Sequence, residues 1–282
     1  MADTKTAPYI KAKVSVVIPT FNRPNLALTA AKTIRKFHPD VQITIVDQQR
    51  GANIDENEVK KLHIKLVNLQ VENTSVAKNR GIKESTGDII FFFDDDIEIT
   101  KDTIPAQLQE YKNPDVVATC GRVFNDHEEV PKNTDVETGK MNRLGTKFVQ
   151  QFWSTRKQEI DFPYGCNMSY RSSVLKKVQG FDERFPKIFE EIDLGKRVRA
   201  HGSISFVPEA LAYHHKAKSG GTRTDMKNKM RMIYKNYGLY MAKHVPFPIS
   251  LITLLLRTRT VLHEAPFALN DLYKGYFSYF FS

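Results

Sequence analysis

The run Ile89-Ile90-Phe91-Phe92-Phe93 passes without a polar transition into Asp94-Asp95-Asp96. Five consecutive apolar residues suit a central strand covered on both faces, and in open α/β sheets ligands bind just beyond the carboxyl ends of such strands. Three like charges at such an end repel one another unless a cation or a donor-rich ligand neutralises them, and hard divalent cations prefer carboxylate oxygen. The bland alternative is a solvated acidic turn.

The flanking pattern supports a sheet. Residues 13–18 form a β-rich run stopped by Pro19-Thr20-Phe21-Asn22-Arg23-Pro24, and a helical pattern over 26–37 follows. Runs at 42–46, ending at Asp47, and at 64–69 predict two more strands; a helix covers 75–84, and the acidic strand comes fourth. Strands alternating with helices at this spacing predict βαβ units and a mainly parallel, Rossmann-like sheet flanked by helices. Beyond it the sequence predicts a helix over 103–111, a strand over 116–124, a polar loop or insertion over 125–145, and a strand over 162–170. A short helix over 172–179 closed by Gly180, a helix over 189–200, and two short strands at 204–207 and 211–214 complete this part.

Composition narrows the class. With 282 residues, 41% hydrophobic and 26% charged, the chain suits one large folded domain or a domain with an appendage, and disorder is not expected. Cys120 and Cys166 sit in apolar, strand-like settings and read as small buried hydrophobes in a reducing cytoplasm, not as a disulfide or a metal pair. The stretch before Lys13 lacks the apolar core of a signal peptide. The apolar run 247–256 is about half the length a bilayer-spanning helix requires. The net charge of +10 is uneven: residues 216–282 carry 11 Lys and Arg against 3 Asp and Glu. A helix over 224–244 and apolar segments at 249–256 and 267–281, the last dense in Phe and Tyr, follow the pattern of interfacial amphipathic helices. They predict peripheral attachment to the anionic inner face of a membrane; a core face or a homo-oligomer contact is the alternative.

Several separated pieces then become informative together. In order they are Ser15-Val16-Val17-Ile18-Pro19-Thr20-Phe21-Asn22-Arg23, Val46-Asp47, Ala77-Lys78-Asn79-Arg80-Gly81, Gly87-Asp88 with the triplet, Gly180-Phe181-Asp182-Glu183, and Glu190-Glu191-Ile192-Asp193-Leu194. This set resembles the family 2 glycosyltransferases, inverting enzymes of the GT-A fold, over about residues 13–220. The resemblance implies a GT-A nucleotide-diphospho-sugar transferase fold with a nucleotide-binding part at 13–124 and an acceptor-binding part at 125–215. A polar tail at 1–12 and a basic helical region at 216–282 would flank it.

The same resemblance implies roles. Asp94 and Asp96 occupy the Asp-x-Asp positions, with Asp96 binding Mg²⁺ or Mn²⁺ on the donor diphosphate, Asp94 near ribose and metal, and Asp95 orienting the loop. His214 matches a histidine that completes the metal site, with His215 as its immediate competitor; imidazole beside carboxylates suits Mn²⁺. Pro19, Thr20 and Asp47 match positions holding the nucleotide base, Asn22 and Arg23 belong to the same loop, and Lys78 matches a position near the donor phosphates or ribose. Arg223, in a glycine-rich basic loop, would clamp the diphosphate. Gly165, Asn167 and Met168 resemble the floor of the sugar and acceptor pocket, and Trp153 either stacks on an acceptor sugar or packs. Glu191 matches the general base that removes the acceptor proton, Asp193 is the alternative base, and Glu190 is a supporting or acceptor-binding group.

Four positions depart from the family pattern: Gln48 and Gln49 in Asp47-Gln48-Gln49, where Asp-Asp-Gly or Asp-Asn-Gly is commoner, lysine for arginine at 78, and glutamate for aspartate at 191. The implied reaction is metal-assisted transfer of a sugar from a UDP, dTDP or GDP donor to a glycan or lipid-linked acceptor hydroxyl. The rival functions are a catalytically inactive glycan-binding or scaffolding member of the fold, and a metal-dependent nucleic-acid phosphotransferase. The second leaves the Pro19-Thr20 loop and Glu191 unexplained, so no nucleic-acid partner is expected.

Overall fold

The computed structural model describes residues 12–48, 54–126, 128–217 and 224–281. It begins with three β-α steps, β1 (Val14–Thr20), α1 (Pro24–Phe37), β2 (Gln42–Asp47), α2 (Glu56–Lys61), β3 (Ile64–Asn68) and α3 (Thr74–Glu84), and then β4 (Ile89–Phe93). Local chemistry explains the helix starts. Pro24 opens α1 where a missing N–H costs nothing. Asp55 and Asn73 cap α2 and α3 by accepting backbone N–H bonds.

The central portion runs β5 (Ile97–Ile99), α4 (Thr103–Glu110), β6 (Val116–Asn125), a small hairpin of β7 (Lys140–Met141) and β8 (Phe148–Val149), then β9 (Gln158–Ile160) and β10 (Asn167–Arg171). After these come α5 (Ser172–Lys177), α6 (Glu190–Val198), β11 (Ser203–His214), α7 (Met226–His244), α8 (Ile249–Glu264) and α9 (Leu269–Ser278).

The main sheet has the order β3-β2-β1-β4-β10-β6-β11-β5, with β9 also paired to β11. β3, β2, β1 and β4 are parallel, as the β-α alternation predicts. β10 enters antiparallel between β4 and β6, so the sheet is mixed. The expected strands at 204–207 and 211–214 are one strand, β11, whose register against β6 slips between Val207 and Ala212, where Pro208 has no N–H to offer. The expected strand at 162–170 begins only at Asn167.

The apolar run of β4 is buried on both sides. Phe91 and Phe93 stack on one another in the hydrophobic layer against α1, whereas Phe92 points into the other layer and meets Tyr170 and Phe181 edge-on. Full burial of one such side chain contributes roughly 1.5–3 kcal/mol, so β4 is a rigid base for the acidic triplet at its end. Tyr234, Tyr237, Tyr240 and Met241 of α7 share the layer that holds Phe92. α7 crosses α9 at Gly238 and Gly275, where an added Cβ would collide with the Leu272 and Lys235 carbonyl oxygens. The change at residue 215 is thus one of charge, not of hydrophobic core.

Candidate active site

β1, β2 and β4 end at the same edge of the sheet, and Thr20 lies in register with Asp47. The loop after β1 turns through Asn22, whose φ of 60° is a conformation asparagine tolerates, and brings Arg23 back against the triplet. Thr20 Oγ1 donates to Asp95 Oδ2 at 2.6 Å, and the Arg23 guanidinium lies 2.9 Å from Asp95 Oδ1 and 3.1 Å from Asp96 Oδ2. Asp95 therefore braces the loop that follows β1. Burial pushes its carboxyl up to about 6 in spite of Thr20 and Arg23.

His214 arrives from the far side of the sheet because β5 pairs with the end of β11, placing Ile97 opposite His214. Its Nδ1 is 3.0 Å from Asn125 Oδ1, which fixes the ring, and its Nε2 is 3.0 Å from Asp96 Oδ1 and 4.0 Å from Asp94 Oδ2. Burial opposes the charge on Asp96, but His214, the Ala217 N–H and Arg23 outweigh it and hold the carboxyl well below the usual range. Burial raises Asp94, against the pull of Lys78 and His214. The candidate ligand atoms of Asp94, Asp96 and His214 all lie within 4.8 Å of one another. Two carboxylates and one imidazole form a donor set that fits Mg²⁺ or Mn²⁺. His215 instead points to Glu98 and Asp126, at 3.0 and 3.3 Å, which separates it from this cluster.

A second charged group faces the first. Lys78, only 1% exposed, donates from Nζ to Glu190 Oε1 at 3.0 Å and lies 5.2 Å from the centre of the Phe181 ring. Burial disfavours its charge, yet Glu190, Asp94 and Glu191 together raise its pKa, so it stays an ammonium between the two acidic groups. Gly165 lies beside both charged groups: a Cβ there would make ordinary contacts, 3.6 Å from Lys78 Nζ and 3.8 Å from Glu191 Oε1. Burial and the neighbouring Glu190 raise the Glu191 carboxyl well above its ordinary range, against Lys78. The Oε2 atoms of Glu190 and Glu191 are buried and lack a hydrogen-bond partner among the described residues. Carboxylate oxygens that lack a partner are ready acceptors for a hydroxyl.

Other expected site residues are placed differently. Asp193 is fully buried, and Arg197, Lys243 and His244 take its oxygens at 2.6–2.8 Å; with no surface in the cleft it anchors α7 to α6, and is not an alternative base. Trp153 is buried and cannot stack on a sugar. Asn167 spends its amide on Gln107 and on the Arg122 and Ala210 carbonyls, and Met168 sits between Phe92 and Cys120 in the sheet core, so neither floors an open pocket. Arg223 lies outside the described residues.

Pro19 and Arg23 line the cleft with the triplet and His214, and Asp47 is buried at the end of β2. The same cleft is lined by Phe21 and Gln48, to which the sequence assigned no role, and by Lys187, which it did not single out. Gln48 explains the unusual Asp47-Gln48-Gln49: its Nε2 donates to the Thr20 carbonyl, and its Oε1 accepts from the Asn73 N–H at 2.9 Å, joining three loops. Lys187 pairs with Glu72 and lies over the Phe21 ring.

The family model described as Glycosyl transferase family 2 matches residues 15–179. An uncharacterized glycosyltransferase of Rickettsia conorii is 36% identical over 101 residues, covering 34% of this chain and 17% of that protein. The N-acetylglucosaminyl-diphospho-decaprenol L-rhamnosyltransferase of Mycobacterium tuberculosis is 35% identical over 81 residues, 28% of this chain and 26% of its own length. The chain thus spans about a quarter or less of these two relatives. Among solved structures, a mannosyltransferase from Pyrobaculum calidifontis in complex with GDP-Man and Mn²⁺ superimposes with a TM-score of 0.61. That match has 15% identity and covers 96% of this chain and 76% of the other.

Proposed function

Because the chain belongs to glycosyl transferase family 2, we propose that it catalyses inverting, metal-assisted transfer of a sugar from a nucleoside-diphosphate donor to an acceptor hydroxyl. The observation that carries this reading is the pairing of the Asp94–Asp96–His214 cluster with Glu191, Gly165 and Lys78. A divalent cation held by Asp94, Asp96 and His214 would neutralise charge on the departing diphosphate. Glu191 takes the acceptor proton, the freed oxygen bonds to the anomeric carbon, and the glycosidic electron pair leaves on the nucleoside diphosphate. Lys78 opposes the neutralisation of Glu191 by burial. Thr20, Asp47 and Arg23 shape the nucleotide end.

Thermal unfolding with UDP, GDP, dTDP and ADP, each with and without Mn²⁺, tests the donor site. Ligand at 100 times its dissociation constant stabilises by about 2.7 kcal/mol. One nucleotide is expected to shift the melting temperature, only with metal, and the shift should vanish in Asp96→Ala. A shift that survives this substitution removes Asp96 from the site.

The acceptor side reaches a bilayer in this proposal. α8 turns Ser250, Thr253, Leu254 and Val261 inward and exposes Leu251, Ile252, Leu255, Leu256 and Leu262 along its outer side, with Leu256 67% exposed. Phe247, at 74%, continues this surface just before the helix. No helix among the described residues is long and apolar enough to cross a membrane. The surplus of 11 basic over 3 acidic residues from 216 onward favours an anionic bilayer as occupant over a second, equally basic copy. Each well-placed cation adds ~1 kcal/mol there. A decaprenol-linked substrate in the mycobacterial relative's name is in keeping with a lipid-linked acceptor. The protein should float with vesicles containing anionic lipid and stay behind with purely zwitterionic ones, and Leu255→Glu/Leu256→Glu should abolish flotation. Absence of flotation at low salt, with dimers seen by sedimentation, would assign the face to self-association instead.

A further inference from the structure

We infer that Asn236, on α7, is a positioning residue for Glu191, acting through the backbone turn that enters α6; this rests on Glu191 being the base proposed above. Ile188 and Phe189 directly precede Glu190 and have φ of 60° and 74°. Two successive non-glycine residues in the left-handed region, one of them β-branched, form an uncommon and strained turn that persists only where its surroundings hold it. Asn236 is that support. It is 1% exposed, and its Nδ2 donates to the Lys187 carbonyl at 2.6 Å and to the Ile188 carbonyl at 2.8 Å.

The rest of the loop is fixed from the opposite side. Ser75 Oγ donates to the Phe185 carbonyl at 2.6 Å, and the Thr74 N–H donates to the Pro186 carbonyl at 2.7 Å. Residues 185–188 are thereby strung between α3 and α7. Phe189 packs its ring against Tyr237 and Tyr240, one and four residues beyond Asn236. α7 itself is a firm post, locked to α9 at the Gly238 and Gly275 crossing and to α6 by Lys243 and His244 on Asp193. The next two residues after the turn are Glu190, bonded to Lys78, and Glu191. Left-handed backbone at 188 and 189 sets the angle at which α6 starts, and with it where the Glu191 carboxylate lies relative to Gly165. The basic C-terminal region thus contributes a part to the base's geometry through α7, although no residue of α7 lines the cleft beside the acidic triplet.

The test combines Asn236→Leu, which removes the amide donors at similar volume, with Ile188→Gly, which removes the penalty for positive φ. Hydrogen exchange of the amides of residues 187–191 is measured with no ligand present. Release of nucleoside diphosphate from UDP-GlcNAc and from GDP-mannose, with Mn²⁺ and water as acceptor, is measured in parallel. Asn236→Leu is expected to speed exchange in this segment by about 10-fold or more. It should lower kcat on the order of 100-fold while leaving the donor KM unchanged, since small misplacements of a reacting group cost that much. Adding Ile188→Gly should recover about 10-fold or more of the kcat, because glycine adopts the turn without its tether. Unchanged exchange overturns the inference, as does a kcat loss that Ile188→Gly fails to recover, or a rise in KM equal to the fall in kcat. If the unsubstituted protein releases no nucleotide from either donor, the choice of these two donors is what fails. The exchange comparison then decides alone whether Asn236 holds the turn.

Discussion

Replacing Glu191 by glutamine is expected to abolish most glycosyl transfer while leaving metal-dependent nucleotide binding intact. General-base removal costs typically 10²–10⁴-fold in turnover. Glutamine keeps the side-chain volume beside Gly165 and Lys78 and removes only the ability to take a proton. The donor site is built by other residues, so the nucleotide-induced shift in melting temperature should persist in the variant. Equal loss of binding and turnover would show that position 191 shapes the donor site and is not the base.

The pH dependence follows from the same environment. Burial and Glu190 raise the Glu191 carboxyl well above its ordinary value, which for a glutamate is about 4.3. The ionised form is the one that accepts a proton, so turnover should rise with pH along an acid limb lying above that value and level off once Glu191 has ionised. Lys78 moves this limb downward and burial moves it upward; burial is the larger influence.

How much of this was visible in the sequence differs from residue to residue. The double-sided burial of β4 was legible because five apolar residues in a row have no polar face to present. The triplet, Lys78 and Glu191 were legible through their order along the chain. Strand direction was not: period-two patterning encodes faces, not polarity, so β10 could not be seen to lie antiparallel between β4 and β6. β5 has three residues, too few for a pattern, yet its pairing with the end of β11 is what brings the ring of His214, and not that of His215, to the Asp96 carboxylate. Trp153, Asn167 and Met168 have side chains suited to sugar contacts, and only their burial removes them from that role. Asn236 gave no signal at all, because its partners are main-chain carbonyls in a turn whose φ values no residue type announces.

Asp193 illustrates the opposite outcome, a residue whose chemistry was legible and whose place was not, and its substitution should produce the largest loss of stability. Arg197 approaches to 2.7 Å, Lys243 to 2.6 Å and His244 to 2.7 Å, with the carboxylate fully enclosed. Asp193→Asn keeps the shape but takes the carboxylate away from Arg197 and leaves Lys243 with Asp182 alone, at 2.7 Å. Removing one partner of a buried ion pair costs about 3–5 kcal/mol, far beyond what an exposed pair contributes, about 0–1 kcal/mol. Burial opposes the charge on Asp193, but His244, Arg197 and Lys243 outweigh it and hold the pKa below that of the unfolded chain. The stabilisation is therefore complete above the unfolded value, about 3.9, and fades as pH falls through the lower folded value. Chemical denaturation of both proteins should show the full gap at neutral pH and a narrowing gap in acid. Because the same carboxylate joins α6 to α7, loss of this anchor should also loosen the turn at residues 188 and 189. A gap that stays constant from neutral to strongly acidic pH would assign the loss to packing and not to the ion pairs.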